Sequence, residues 1–388
     1  MVDKTPSTRV IFCRSNPIAP DPRVEKEARC LAESGYSVRV LGWDRSSSLP
    51  RKEETKGINV ERISIRSGYA RGLSNLPALL LWQLGLLLKL IKLRKKYDLI
   101  HACDFDTILP ALICKKLFNK IVIYDIFDFY ADHLRKTPGW IKKLIRSTDL
   151  RAINHADAVI LVDDSRFTQI QGACPKQAVI INNSPEDKTI DLESPVVGDN
   201  YSLRLAYIGL IQVERGLLHV LGILKRHPTW ILDIGGFGGD EVYIKEISGD
   251  MSNVRWHGRI SYQKALNLSA GADVLFALYD PDIPNHRYAS PNKIFEAMML
   301  GKPIVVARGT NMDCVVDQAK SGLVVDYGDA FALEEVFTKL EQDHHLRLDL
   351  GKNAREAYKK KYSWEIMKVR LLLLYQSLLE DSVVGKPN

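Results

Sequence analysis

Short runs of β-branched and aliphatic residues alternate along the chain with longer stretches whose apolar positions recur every three or four residues. The runs RVIFC, SVRVLGW, INVERISI, LIHAC, KIVIYDI, AVILVDD and AVIINNS fill the first half; LRLAYIGL, WILDIGG, VRWHGRI, DVLFALY, KPIVVA and GLVVDY fill the second. Such alternation predicts parallel sheets flanked by helices, and two series of it predict two Rossmann-like domains. Between the series, NSPEDKTIDLESPVVGDNYS at 183–202 is polar and aperiodic with two prolines, and reads as a linker. The expected division is 1–190, 203–362, and a C-terminal helix over 363–388 that crosses back to the first domain. Doubly wound sheets bind ligands beyond the carboxyl ends of their strands, so the fold class is α/β with two parallel sheets facing a central cleft.

One helical pattern contains a misfit. In SPNKIFEAMML, residues 290–300, Glu296 stands between Phe295 and Ala297, and a carboxylate with apolar neighbours needs a partner. Ser290 suits an N-cap and Pro291 the first helical position. The N–H groups of Asn292 and Lys293 then point from a helix end of partial positive charge, beside the Lys293 ammonium, which suits a phosphate. Glu296 follows on the same face about one turn deeper, where its two oxygens could hold the adjacent hydroxyls of a ribose. The plainer reading is a Lys293–Glu296 surface ion pair.

This helix with the following GKPIVVA resembles the nucleotide-sugar helix of the retaining glycosyltransferases of family 4, the glycosyl transferases group 1, which have the GT-B fold. YIGLIQVERGLLHVLGIL, DIGGFGGDE, DPRVEKEARCLAESGYSVRVL, LIHACDFDTILPAL and IVIYDIFDFYAD are similar to the family at corresponding places, so the likeness spans nearly the whole chain. It implies a retaining transferase that moves a sugar from a nucleoside-diphosphate sugar to a glycan or lipid-linked acceptor held in the first domain, with no metal and no separate cofactor. It implies that Glu296 binds the donor ribose, that Pro291, Asn292 and Lys293 form the diphosphate-binding turn, and that Arg215 is the basic residue against the donor phosphates. From the residues themselves, Arg215 precedes Gly216 in a strand-to-helix loop, where a guanidinium could neutralise a pyrophosphate; otherwise it is a solvated loop arginine. Gly235 and Gly236 would let backbone approach the nucleotide, or are plain turn glycines.

The chain departs from the family in three places. Tyr288 stands where a second glutamate is frequent, which touches contacts to the transferred sugar. Gly209 is followed by Leu210 rather than arginine, which leaves Arg215 and Lys293 as the phosphate partners. Phe127 replaces a histidine, whose role falls to no residue or to Asp128. In the front-face mechanism the resemblance implies, the departing diphosphate takes the acceptor proton, so Arg215 and Lys293 stabilise the leaving group and Asp104 and Asp128 hold sugar or acceptor hydroxyls. Each aspartate otherwise reads as a helix cap or loop carboxylate. The D-F-D at 104–106 imitates a metal motif of the other glycosyltransferase fold and is discounted. In SNPIAPDPRVEKEA, Asp21 and Pro22 read as cap and first turn, Val24, Ala28 and Leu31 as a buried stripe, and Arg23 as a residue at the cleft edge.

Composition narrows the setting. The 388 residues are 46% hydrophobic and 26% charged, ordinary for a soluble chain. MVDKTPSTRV enters an apolar strand without a signal-peptide pattern, and six scattered cysteines without a CxxC pair read as reduced thiols, so a cytoplasmic place is expected. The net charge is +7, yet residues 66–146 alone hold fifteen Lys or Arg against six Asp. LSNLPALLLWQLGLLLKLIKLRKK at 73–96 has an uncharged core, Leu76–Leu88, too short to span a bilayer. With WIKKLIR at 140–146 it suits a helix on an anionic membrane surface, or else a buried helix ending in a basic turn. Aromatic and basic residues do not alternate as nucleic-acid stacking platforms require. The rival readings are a family member that binds ligand without turnover and a polyanion-binding protein.

Overall fold

The computed structural model describes residues 8–55, 57–68, 75–134, 137–189 and 201–384. The chain divides into two compact units, residues 1–182 with 367–388, and residues 183–366.

The first unit runs β1 (Arg9–Arg14), α1 (Pro22–Glu33), β2 (Ser37–Asp44), β3 (Lys52–Thr55), β4 (Ile58–Ser64), α2 (Leu76–Leu93), β5 (Leu99–Cys103), α3 (Phe105–Phe118), β6 (Ile121–Ile126), α4 (Tyr130–His133), α5 (Gly139–His155), β7 (Ala158–Leu161), α6 (Arg166–Gln169) and β8 (Ala178–Ile180). Its sheet has the order β3-β4-β2-β1-β5-β6-β7-β8. All pairings are parallel except that of β3 with β4, so the sheet is mixed at one edge. Strand residues alternate between faces. Ile11, Cys13, Ala102 and Tyr124 meet α2, α3 and α5 in one core cluster; Phe12, His101 and Asp125 turn to the other face, toward α1 and the C-terminal helix. Asp21 caps α1 by accepting from Val24 N–H at 3.2 Å, Pro22 opens it, and Val24, Ala28 and Leu31 are buried, as the pattern predicts.

The second unit runs β9 (Leu203–Leu210), α7 (Leu217–Leu224), β10 (Trp230–Phe237), α8 (Glu241–Ser248), β11 (Val254–Gly258), α9 (Tyr262–Gly271), β12 (Val274–Ala277), α10 (Asn292–Leu300), β13 (Ile304–Ala307), α11 (Met312–Ala319), β14 (Gly322–Val325), α12 (Ala330–Gln342) and α13 (His344–Ala357). Its all-parallel order β11-β10-β9-β12-β13-β14 is the doubly wound one. A short π-helical turn, Tyr358–Tyr362, leads into α14 (Trp364–Val384), which from Met367 belongs to the first unit.

Two expectations change. The stretch read as a linker is partly built in: Tyr358 hydroxyl donates to Pro185 carbonyl at 2.9 Å and Arg355 pairs with Asp187, while 190–200 lies outside the described residues. The apolar helix α2 is also longer than its uncharged core, 18 residues, and by length and composition could cross a membrane. Its length therefore excludes nothing; what seats it on the sheet is Trp82, Leu86, Leu90 and Leu93, which are buried in the core cluster.

Candidate active site

Each sheet reverses its winding next to its first strand, between β1 and β5 in one unit and between β9 and β12 in the other. Helices leave such a switch point in opposite directions, opening a crevice at the strands' carboxyl ends. In each unit, polar residues singled out from the sequence gather there.

In the second unit the crevice is organised around Lys293. Gly209, in β9, has φ +152°, and a β-carbon there would stand 3.3 Å from Lys293 Nζ, so the missing side chain gives the ammonium its room. Lys293 is half-buried as a residue, but its Nζ is sealed from solvent and has no hydrogen-bond partner. It lies 3.9 Å from the centre of the Tyr207 ring and 5.8 Å from that of Tyr279, two π-faces that partly replace lost hydration. Burial, and then the neighbouring Arg215 guanidinium, push its pKa down to about 7 against the pull of Glu296. Arg215 lies over the Tyr279 ring at 3.7 Å, so that ring serves both cations. Its loop is tied down: Val213 N–H donates to Asp240 at 2.9 Å, and Asp280 N–H to Glu214 carbonyl at 3.1 Å. Arg215 is thus a held residue rather than a solvated one.

Helix α10 buries Ile294, Phe295, Ala297, Met298 and Met299, which leaves Glu296 half-buried on the side of Lys293. Glu296 does have a partner: the Tyr262 phenol at the start of α9 hydrogen-bonds it, and burial together with this carboxylate raises the phenol's pKa. No hydrogen bond joins it to Lys293. Ser290 is not the cap. The helix begins at Asn292, with Pro291 extended (φ −75°, ψ 149°) at the capping position; proline has no side-chain acceptor to offer, and its carbonyl accepts from Ile294 N–H at 3.2 Å. Ser290 is buried, and its carbonyl accepts from Asn183 at 3.0 Å.

Gly235 and Gly236 have a packing reason. A β-carbon on Gly235 would meet Ile260 at 2.7 Å and Ile208 at 3.0 Å, and one on Gly236 would strike the Gly209 carbonyl at 1.8 Å. Close approach of neighbouring strand and side chains explains both. Leu210 is exposed, and its carbonyl accepts from the Tyr207 hydroxyl at 2.5 Å; Tyr288 is half-buried at the end of the 3₁₀ turn Pro284–Tyr288.

In the first unit, Asp104 directly follows β5 with φ +64°. Its side chain does not cap α3. It pairs with Arg14 from the end of β1 and accepts from the N–H groups of Phe127 at 2.8 Å and Asp128 at 3.3 Å. Burial pushes its pKa up to about 6 against Arg14, with Asp128 adding to the rise. Asp104 therefore anchors the loop after β6, whereas Asp128 is half-exposed, 3.4 Å from Arg166, and is the carboxylate left facing solvent. Phe127 packs under the guanidinium groups of Arg14, 4.1 Å away, and Arg23, 4.9 Å away. Asp106, the second acid of D-F-D, is buried, and its carbonyl accepts from Trp82.

Arg23 is not at an edge. It is buried, donates to Asp125 at 3.2 and 3.0 Å and to the Ile181 carbonyl at 2.9 Å, and lies 3.2 Å from Glu27. Beside it His101 meets Tyr375 hydroxyl at 2.8 Å and Asp125 at 3.3 Å. His101, Cys103 and Asp125 are close enough together to suggest a metal site. The donor set does not fit one, since Arg23 already takes both Asp125 oxygens and both imidazole nitrogens are engaged.

Sequence reasoning missed the aromatic half of the site. Tyr207, Tyr279 and Tyr262 come from β9, the loop after β12 and α9, and no local spacing links them.

Residues 205–357 match the family glycosyl transferases group 1, and residues 20–166 match the glycosyl transferase 4-like domain. The chain is 27% identical over 188 residues to the D-inositol 3-phosphate glycosyltransferase of Corynebacterium jeikeium, covering 45% of this chain and 43% of that one. It is 29% identical over 163 residues to the GDP-mannose-dependent monoacylated alpha-(1-6)-phosphatidylinositol monomannoside mannosyltransferase of Corynebacterium glutamicum, covering 40% and 41%. These matches span less than half the length of either relative. Two solved structures share the fold. Sucrose-phosphate synthase from Thermosynechococcus elongatus superposes with a TM-score of 0.78 at 16% identity over 96% of this chain and 100% of that one. Anabaena HepE in complex with UDP-glucose gives 0.73 at 16% over 95% and 99%.

Proposed function

The chain belongs to the group 1 glycosyltransferases of GT-B fold, and on that premise we propose that it moves a sugar, with retention of anomeric configuration, from a nucleoside-diphosphate sugar to a glycan or lipid-linked acceptor. The observation that carries the donor assignment is the Lys293 ammonium, sealed from solvent without an acceptor beside Arg215. An unpaired buried cation is costly, and a diphosphate would supply the missing acceptor. Lys293, Arg215 and the positive N-terminal end of α10 then neutralise the leaving group, the part a divalent metal plays elsewhere, so the reaction is read as metal-independent. Glu296, oriented by Tyr262, takes the ribose hydroxyls one turn deeper, with Tyr262 giving up its place or sharing it. Asp128 is the carboxylate available to hold a sugar or acceptor hydroxyl; Asp104 acts on it through the loop. The transferred group is read as a hexose. Buried thiols at Cys13, Cys30, Cys103 and Cys114 suit the cytoplasm.

A thermal-shift panel of UDP, GDP, ADP and their sugars tests this. One nucleotide at a hundredfold over its Kd adds about 2.7 kcal/mol; Lys293→Ala and Glu296→Ala lose most of that gain while keeping the unliganded melting point within a few degrees. If no nucleotide stabilises the parent, or the variants respond as the parent does, the donor assignment fails. Phe127 and Tyr288 favour a second reading, binding without turnover, and a radiolabelled donor that binds yet yields neither transfer nor hydrolysis would establish it.

A further inference from the structure

Three helices cover one face of the first sheet, with α3 packed between α2 and α5. A helix seated on a core normally turns charged and polar residues to solvent. Helix α2 turns out leucine instead: Leu80, Leu81, Leu84 and Leu88 are each more than half exposed, at 59%, 56%, 53% and 59%. Leu117 on α3 and Trp140 on α5 extend the pattern, at 60% and 70%. The exposed charges on these helices have one sign. Together they carry eight Lys or Arg and two acids, Asp106 and Asp149, both buried; of the cations, Lys89 pairs with Glu61 of β4 and Lys115 with Asp157 before β7. The exposed triplet Arg94-Lys95-Lys96 follows α2 directly.

We propose that this face binds the surface of a bilayer rich in anionic lipid, with the α2 leucines and Trp140 entering the headgroup boundary and the lysines pairing with lipid phosphates. The chemistry chooses among occupants. A second copy would bring the same predominantly basic face and repel the first, whereas an anionic surface complements it. Although long enough to cross, α2 lies flat in this picture, because Trp82, Leu86 and Leu90 hold one side of it to the sheet and Trp82 donates to the Asp106 carbonyl at 3.1 Å. The proposal stands without the transferase reading, and where both hold, the face would bring the enzyme to lipid-linked acceptors.

Co-sedimentation of the full chain with vesicles tests it, using phosphatidylcholine alone and an equimolar mixture with phosphatidylglycerol. The parent is expected to pellet with the mixture at low salt and to be largely released at high salt, since Debye screening weakens the lysine contribution. A Leu81→Glu/Leu84→Glu/Leu88→Glu variant is expected in the supernatant throughout, and Lys116→Gln/Lys143→Gln to bind about fivefold more weakly per lysine removed. Melting points and nucleotide responses like the parent's confirm the fold of both; should the triple variant melt early, Leu88→Glu alone must show a partial loss. Failure of the parent to pellet, or pelleting of the leucine variants equal to the parent's, overturns the proposal. So does a dimer in light scattering that the leucine changes dissolve, which would make the face a contact between copies.

Discussion

Because the Lys293 ammonium sits between tyrosine rings without an acceptor, it holds its proton weakly, with a pKa near 7 set by burial and then by Arg215. A diphosphate bound there returns the group toward the ordinary lysine range, so binding takes up a proton. The sign follows: nucleotide affinity is level below about pH 7, where Lys293 is already charged, and falls by about tenfold per pH unit above it until the pKa of the complex is reached. Calorimetry in buffers of different ionisation enthalpy should count uptake approaching one proton at about pH 8, and Lys293→Met should bind weakly with neither the uptake nor the slope. A slope that survives in Lys293→Met would assign the proton elsewhere. Lys293 and Glu296 were legible because their spacing is local, one turn on one helix face. Their surroundings were not: the place of Ser290 depends on where the first helical turn closes, and the tyrosines converge only through the fold.

At the scale of elements, period-two and helical patterning placed every strand but β3. Its sequence, KEET, has no apolar alternation, and it is a charged antiparallel edge of the kind that blocks further pairing. The β9–β10 pair shows why a glycine's role cannot be read from its loop position. Gly236 sits opposite Gly209 in the parallel register, and the Gly209 carbonyl occupies the space a side chain would need. Gly236→Ala would push β10 from β9 beside the Lys293 crevice and hold alanine at φ +143°. We expect a loss of about 3 kcal/mol in urea unfolding and a weakened nucleotide response, while Gly239→Ala, whose β-carbon meets nothing within 4 Å, stays within about 0.5 kcal/mol of the parent. Equal behaviour of the two variants would mean the strands yield at no cost.

At the scale of the molecule, the end of the chain completes the beginning. Tyr375 of α14 returns 274 positions on to meet His101, and Gln177–Ser377 and Arg370–Ile180 contacts fix the same helix to the first unit. The expectation of a C-terminal helix crossing back to the first domain named no partner for it, since a histidine in a strand and a tyrosine in a distant helix carry no mutual signal. Underneath lie Arg23, Glu27 and Asp125, one cation for two carboxylates. Arg23 and the hydrogen bonds hold Asp125 below the usual range despite burial. Glu27, buried and without a hydrogen-bond partner, is pushed up to about 8, and burial lowers His101 below its ordinary value. Cys103 and Tyr375 are pushed up by burial and do not titrate in this interval. The raised Glu27 contributes stability that is complete below its unfolded pKa of about 4.5 and is lost as pH rises toward 8; the lowered His101 contributes stability present above about 6.5 and lost below it. The two trends oppose one another between about pH 4.5 and 6.5; above that the Glu27 loss continues toward pH 8, and buried Asp149, pushed up to about 7, adds to the loss up to that value. From pH 6.5 to 8 the first unit should therefore weaken by on the order of 2 kcal/mol, read as a falling urea midpoint. Glu27→Gln, neutral and nearly the same shape, should flatten the part above about pH 7, beyond the Asp149 contribution, whereas a slope there unchanged by the substitution would show that Glu27 is already ionised at neutral pH and that Arg23 serves both carboxylates.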